Sequence, residues 1–292
     1  IRLGIDMTGG VQIEYQCEIQ ACDIDQVRAA AESTRSTILA QDPGSMNEIN
    51  VYKISGQETV VVEAGFVTAG RTDAGVETLK STFRESLSSH LAQSSSTRYT
   101  FSRYVNVGES FGAYIKQSGY ITLTIAILAI SIYIQYAFSG AISGMASWPF
   151  AVVTGLSLIH DLIIVFGLYV ATAFFFPEFR IDTFFFTAML TILGYSINDT
   201  IVVLDRIRSN LREKTGKMDL AHLIDASIWD TMRRSLFTSF TIVIVLVALF
   251  FFGPDTLRGF VLVLLYGTIV GTYSSVCIAS PLLYDISHRD RK

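Results

Sequence analysis

"GYSINDTIVVLDRIR", residues 194–208, is the segment that decides the fold of this chain. It ends an apolar run that begins near residue 182 and is long enough to cross a bilayer. Asn198 and Asp199 nevertheless interrupt the run in its middle, and Arg206 and Arg208 close it. A carboxylate at this depth costs several kcal/mol unless it is protonated, paired or hydrated. The segment therefore predicts a membrane helix in which the acid has a function.

The rest of the chain has the composition of a membrane protein. Of its 292 residues, 50% are hydrophobic, and the formal net charge is only -4. Residues 117–160 contain no Asp, Glu, Lys or Arg. The apolar runs predict five spans, each close to the roughly 20 residues that a bilayer requires. These spans cover about 117–138, 147–173, 182–205, 235–253 and 257–284 of a transmembrane domain over 109–292.

Basic residues set the predicted orientation of the spans. They concentrate in the link 206–234 and at the chain end, which includes Arg289, Arg291 and Lys292, whereas the links near Pro177 and Pro254 carry few. The positive-inside rule places the basic segments in the cytoplasm. Five spans then put residues 1–108 on the extracytoplasmic side, and we expect a sixth, N-terminal helix to be missing before Ile1.

Residues 1–108 predict a small α+β domain with the element order βαββαβ. The predicted strands are 10–15, 47–54, 58–66 and 98–107, and the helices are 23–40, with Asp23 or Asp25 as N-cap, and 74–92. Ser55-Gly56-Gln57 separates the two middle strands as a hairpin turn. This order is typical of a ferredoxin-like fold.

A polar stripe and an acid lie in the third predicted span. The stripe consists of small or polar residues at intervals of four, three and four: Thr187, Thr191, Gly194 and Asn198. Asp199 adjoins it, and Arg206 lies seven residues later on the same side. We interpret Asp199 as a group that binds and releases a proton. The alternative is that Asp199 only hydrogen-bonds neighbouring helices.

Three further polar positions accompany the spans. His160 and Asp161 are adjacent in the second span, so at most one of them is expected to face the third span, and Asp161 is either a relay group or purely structural. Arg234, beside Arg233 before the fourth span, either reaches Asp199 or anchors the helix end. The spans lack the ligand spacing of a metal site, and the glycine pattern does not support an aspartyl protease.

Other short patterns have structural interpretations. Cys17 and Cys22 could pair if their region is exported, but spacing alone favours free thiols. "GIDMTGG", residues 4–10, lacks phosphate-loop spacing and predicts a sharp turn into the first strand. In the last span, small residues at steps of four predict close packing against another helix: Gly267, Gly271, Ser275 and Ala279. No motif predicts an enzyme, a cofactor site or nucleic-acid binding.

Four motifs in order resemble the SecF family: "LGIDMTGG", "NVGESFGAYIKQSG", "IHD" and "GYSINDTIVVLDRIRSNLREK". The resemblance covers nearly the whole chain. It implies a six-helix subunit of the bacterial cytoplasmic membrane that works with SecD, the SecYEG channel, YajC and membrane lipids. Such a subunit uses protons to drive late export of preproteins. Asp199 matches the family's proton-pathway aspartate and Arg234 its functional arginine, while Asp161 and Arg206 match recurrent positions.

Two other functions fit the same pattern. A non-transporting scaffold would hold the export complex together without using Asp199. A small-molecule or lipid exporter of the same resistance-nodulation-division superfamily would share the intramembrane acid but need a larger external domain. The absence of the family's first helix is expected if the chain is a shortened SecF subunit or if it is the second half of a fused SecDF chain.

Overall fold

The computed structural model describes residues 3–17, 22–54, 58–67, 70–93, 98–139, 146–176, 179–213 and 219–289. They form two compact units. The first, which we call the sheet unit, consists of Arg2–Ser118 and Arg180–Thr183. The second, the helix unit, consists mainly of Gly119–Phe179 and Phe184–Lys292.

The sheet unit confirms the predicted βαββαβ order after one short helical turn, α1. Its four strands form an antiparallel sheet in the order β2-β3-β1-β4. The predicted turn at 55–57 lies outside the described residues. The elements are α1 (Ile5–Thr8), β1 (Gly10–Cys17), α2 (Ile24–Gln41), β2 (Met46–Ile54), β3 (Thr59–Phe66), α3 (Asp73–Ala92) and β4 (Tyr99–Val107).

The core of this unit follows from alternation in β1 and from the inner faces of α2 and α3. Val11, Ile13 and Tyr15 are buried, together with Phe83 and Leu87 of α3. Alternate strand residues and helical residues four apart thus meet in one apolar layer.

Local features at the ends of β1 and α2 test three of the sequence interpretations. Asp23 is the N-cap of α2, because its side chain accepts hydrogen bonds from two backbone N–H groups. Gly10 has φ 146°, and a Cβ there would collide with the Ala64 carbonyl, so the turn into β1 requires glycine. Cys17 and Cys22 form a disulfide, so the expectation of free thiols was wrong. Spacing alone could not indicate that the two sulfur atoms lie close enough to bond.

The helix unit contains the membrane spans. Five helical segments are long and apolar enough to cross a membrane, which confirms the predicted number within the described residues. The elements are α4 (Glu109–Ala137), α5 (Trp148–Phe175), α6 (Thr183–Glu213), α7 (Leu220–Phe252), α8 (Arg258–Ser274), a π-helical segment (Ser275–Ala279) and α9 (Ser280–Arg289). The first residues of α4 belong to the sheet unit.

Two helices extend well beyond their predicted spans. α6 continues to Glu213 and α7 already begins at Leu220, whereas the spans were predicted to end at 205 and to start at 235. Hydropathy detects only the apolar part of a helix, and these extensions are polar. Asn210 donates to Ser227 at 2.7 Å, which ties the extensions of α6 and α7 together. Lys214, Lys217, Arg291 and Lys292 lie outside the described residues.

Small residues of α8 pack against α6, as their spacing predicts. A Cβ on Gly267 would overlap the Ile192 side chain, and one on Gly271 would lie 3.0–3.2 Å from atoms of Ser196. Glycine at these two positions therefore permits α8 and α6 to approach closely.

Candidate functional site

Asp199 lies inside the helix unit at the contact of α6, α7 and α8. It is only 5% exposed. Ser239 of α7 donates a hydrogen bond to its Oδ2 at 3.2 Å, and Thr272 of α8 donates to the Ser239 hydroxyl at 2.6 Å. A chain of two hydroxyls thus connects α8 through α7 to the carboxyl of α6.

Two residues of α7 lie close to this chain. The buried Ser235 is one turn before Ser239 and lies near Asp199. Arg234 lies within electrostatic range of Asp199. Its side chain is exposed, and no ion pair joins it to Asp199 in the described part of the chain.

Asp161 occupies a second buried position, between α5, α6 and α8. It is 0% exposed. Its Oδ2 accepts hydrogen bonds from Ser196 of α6 and, at 2.8 Å, from Ser274 of α8. Its Oδ1 lies 3.0 Å from Nδ1 of His160. All of its partners are therefore polar side chains, which is what a buried carboxyl requires.

His160 connects Asp161 to the surface of the unit. Its Nε2 lies 3.1 Å from the hydroxyl of Tyr273, a residue that is 42% exposed. Tyr273, His160 and Asp161 thus form a continuous row of hydrogen-bonding groups from the surface to the interior. Of the adjacent pair, Asp161 accepts a hydrogen bond from Ser196 of the third span, whereas His160 lies within hydrogen-bonding distance of Tyr273 of α8.

The same two helices serve both carboxyls. α6 carries Asp199 and also Ser196, the partner of Asp161. α8 carries Thr272, which leads to Asp199, and Ser274, which donates to Asp161. The π-helical segment begins directly after Ser274. Such segments are rare and often occur at functional sites.

Two predicted site residues are not brought to Asp199. Asn198 is exposed, as is the rest of its stripe, Thr187, Thr191 and Gly194, so this face of α6 points out of the helix unit. Arg206 donates instead to Asp230 of α7, at 2.6 and 2.9 Å.

Sequence reasoning missed the hydroxyl partners of the carboxyls. The signal for those on α7 was available, since Ser227, Thr231, Ser235 and Ser239 recur at steps of four and are all buried. Thr272, Tyr273 and Ser274 had no comparable periodic signal. Among the described residues no group of three His, Cys, Asp or Glu side chains is placed to hold a metal ion.

These features define a polytopic α-helical membrane protein with a small α+β domain and two carboxyls buried among its spans. Residues 87–289 match the family model described as "Protein export membrane protein SecD/SecF, C-terminal". The chain belongs to the SecD/SecF family.

Individual relatives agree with this assignment. A protein translocase subunit SecF of Sebaldella termitidis is 34% identical over 97% of this chain and 81% of its own length. One of Thermobaculum terrenum is 33% identical over 99% of this chain and 86% of its own. The crystal structure of SecDF, a translocon-associated membrane protein from Thermus thermophilus, is similar with a TM-score of 0.73 and 26% identity over 99% of this chain. The chain spans 35% of that SecDF chain.

Proposed function

We propose that this protein is a SecF-type subunit of the Sec export machinery that uses the proton-motive force to drive late translocation of preproteins. The observation that carries the proposal is Asp199, a carboxyl buried in the helix unit and reached by the hydroxyl chain from Thr272 through Ser239. The membership of the chain in the SecD/SecF family supports the export role.

Protonation of Asp199 would change the hydrogen bonding around it. An ionised carboxylate only accepts hydrogen bonds, so both hydroxyls of the chain point toward it. A protonated carboxyl has an O–H that can donate to Ser239, and the direction of the chain then reverses. Because the three groups lie on α6, α7 and α8, the two states favour different contacts between these helices.

The exposed stripe on α6 supports a membrane partner. Small residues permit close packing between membrane helices, and polar side chains can form hydrogen bonds across such a contact. In the similar SecDF structure the SecD and SecF parts belong to one chain. We therefore assign Thr187, Thr191, Gly194 and Asn198 to the contact with SecD. Arg234, which is also exposed, lies within electrostatic range of Asp199, and we assign it to the same proton pathway.

The location and side of the membrane are also part of the proposal. The Cys17–Cys22 disulfide is typical of an oxidising compartment. The basic ends of α6 and α7 favour the cytoplasm. Together they support a bacterial cytoplasmic membrane protein whose sheet unit is extracytoplasmic, near the SecYEG channel.

The test is export of a secretory precursor in cells depleted of the subunit and complemented with the full-length protein. We expect Asp199→Asn to abolish export at matched membrane levels, because the amide cannot exchange a proton. Asp225→Asn, at an exposed position of α7, is the matched control and should export normally.

Copurification with SecD separates loss of function from loss of assembly. If Asp199→Asn still binds SecD and export fails, proton use is supported. If its export equals that of the control, Asp199 is structural and a scaffold role replaces the proposal.

A further inference from the structure

The tetrapeptide Arg180–Thr183 belongs to the sheet unit, although Phe179 before it and Phe184 after it belong to the helix unit. Ile181 forms a parallel bridge with Leu3, and the Gly4 N–H donates to the Ile181 carbonyl at 2.8 Å. The backbone of this tetrapeptide is thus bonded to the N-terminal segment of the sheet unit.

Side chains at both ends of the tetrapeptide add to this attachment. Thr183 donates to the Asp6 carboxylate at 3.2 Å. At the other end, Arg180 forms an ion pair with Glu63 of β3. The two side chains are only 10% and 8% exposed, so this pair differs from the exposed ion pair of Arg28 and Asp25.

Tyr52 of β2 contacts both members of the ion pair. Its hydroxyl donates to Glu63 Oε1 at 2.8 Å, and the Arg180 guanidinium lies 5.0 Å from its ring centroid. Burial raises the pKa of Tyr52, which keeps the hydroxyl protonated and able to donate. Glu63 therefore has two partners, and Arg180 is held against both a carboxylate and an aromatic face.

The position of this attachment in the chain suggests its role. Thr183 is the first residue of α6, the helix that carries Asp199. Removing one partner of a buried ion pair is strongly destabilising, because the other charge stays buried without a partner. The pair of Arg180 with Glu63 therefore holds the start of α6 in place. A continuous helix transmits displacement along its axis, and at 1.5 Å per residue Asp199 lies roughly 24 Å from this start.

We propose that Arg180 and Glu63 are positioning residues that couple α6 to the sheet unit, so that a displacement of α6 is passed to that unit. The inference rests on the proposed function, since it assumes that α6 moves when Asp199 exchanges a proton. In this scheme Asp199 exchanges the proton, and the Arg180–Glu63 pair passes the displacement of α6 to the sheet unit.

The test separates proton movement from export in the full-length protein with SecD. Proton flux is measured in reconstituted vesicles with a pH-sensitive dye, and precursor export is measured in depleted cells. We expect Arg180→Gln to keep flux within about twofold of wild type while export falls about tenfold, and Arg180→Lys to recover part of the export. Arg28→Gln, in the exposed ion pair, should change neither.

A covalent replacement provides an independent check. Leu3 and Ile181 are bridge partners, and paired backbones lie about 4.7–4.9 Å apart, within the roughly 4.4–6.8 Å between Cα atoms that a disulfide spans, so we choose Leu3→Cys with Ile181→Cys as the pair to cross-link. Added to Arg180→Gln, this pair should restore export when oxidised, and neither single cysteine substitution should do so.

Three results would overturn the coupling role. The first is a parallel fall of export, flux and membrane level, which indicates a structural pair. If Arg180→Gln fails to accumulate, Glu63→Gln is compared in the same way, and failure of both variants to accumulate also indicates a structural pair. The second is wild-type export by Arg180→Gln while Asp199→Asn abolishes export, and then only the coupling fails. The third is normal export by Asp199→Asn, and then the proposed function fails first and the coupling with it.

Discussion

Replacing Gly271 by alanine should loosen the contact between α8 and α6. The added Cβ would lie 3.0 Å from Cβ, 3.1 Å from Cα and 3.2 Å from Oγ of Ser196. The Cα is part of the α6 backbone, so the helices must separate by a few tenths of an ångström. Overpacking of this kind costs about 1–3 kcal/mol, and alanine returns about 1 kcal/mol of helix propensity. A Cβ added at Gly167 of α5 would have no atom within 4 Å, so Gly167→Ala has the favourable helix-propensity effect without the overpacking cost.

The two variants should therefore differ by about 1–3 kcal/mol. In thermal unfolding of the detergent-purified protein this corresponds to a Tm for Gly271→Ala that is roughly 2–12 °C below that of Gly167→Ala. Export should fall with Gly271→Ala only, because Ser196 donates to Asp161. A Gly271→Ala protein that melts at or above the Gly167→Ala protein would refute the close packing of α8 on α6.

Two further predictions concern the sheet unit, and both are followed by hydrogen exchange of its strands in the purified protein. The disulfide closes a loop with a sequence separation of 5, so Cys17→Ser with Cys22→Ser should lower stability by about 2 kcal/mol; unchanged exchange in β1 would contradict this. Hydrogen bonds from Lys80 and then Asn106 lower the pKa of Glu77. The contribution of ionised Glu77 to the stability of the sheet unit is therefore complete above the ordinary carboxyl pKa and is lost as pH falls through the lowered pKa. Glu77→Gln should therefore make the stability of the unit less dependent on pH in the acid range. If the variant and wild type lose stability identically as pH falls, Glu77 makes no such contribution.

Much of the fold could be predicted because its signals are local. The period-two pattern of β1 and the helical pattern of α3 each depend on a short window of sequence, and the spans depend on apolar runs. The extension of α7 to Leu220 was missed because its stability comes from contacts such as Asn210 with Ser227, which join residues of different helices. The Cys17–Cys22 disulfide was not predicted either, because it depends on the folded positions of the two residues.

The candidate site was predictable only in part. Asp199 and Asp161 were identified because an acid in an apolar run is costly and therefore informative. Periodicity placed Asn198 on a polar stripe that Asp199 adjoins, but it could not decide which face of α6 points inward. Arg206 was assigned to the same side on spacing alone, and its partner Asp230 comes from α7. The direction of a face is decided by packing between helices, which a pattern within one helix does not contain.

The arrangement of α8 suggests why the protein keeps two buried carboxyls. Thr272 leads to Asp199 and Ser274 donates to Asp161, so two residues in one helical turn depend on different acids. A displacement of α8 that strengthens one hydrogen bond must alter the geometry of the other, because the two hydroxyls are attached to the same rigid turn. The π-helical segment that adjoins this turn is of a rare kind that often occurs at functional sites. Under the proposed function, the hydrogen bond from Ser274 to Asp161 would oppose a displacement of α8 that protonation of Asp199 favours.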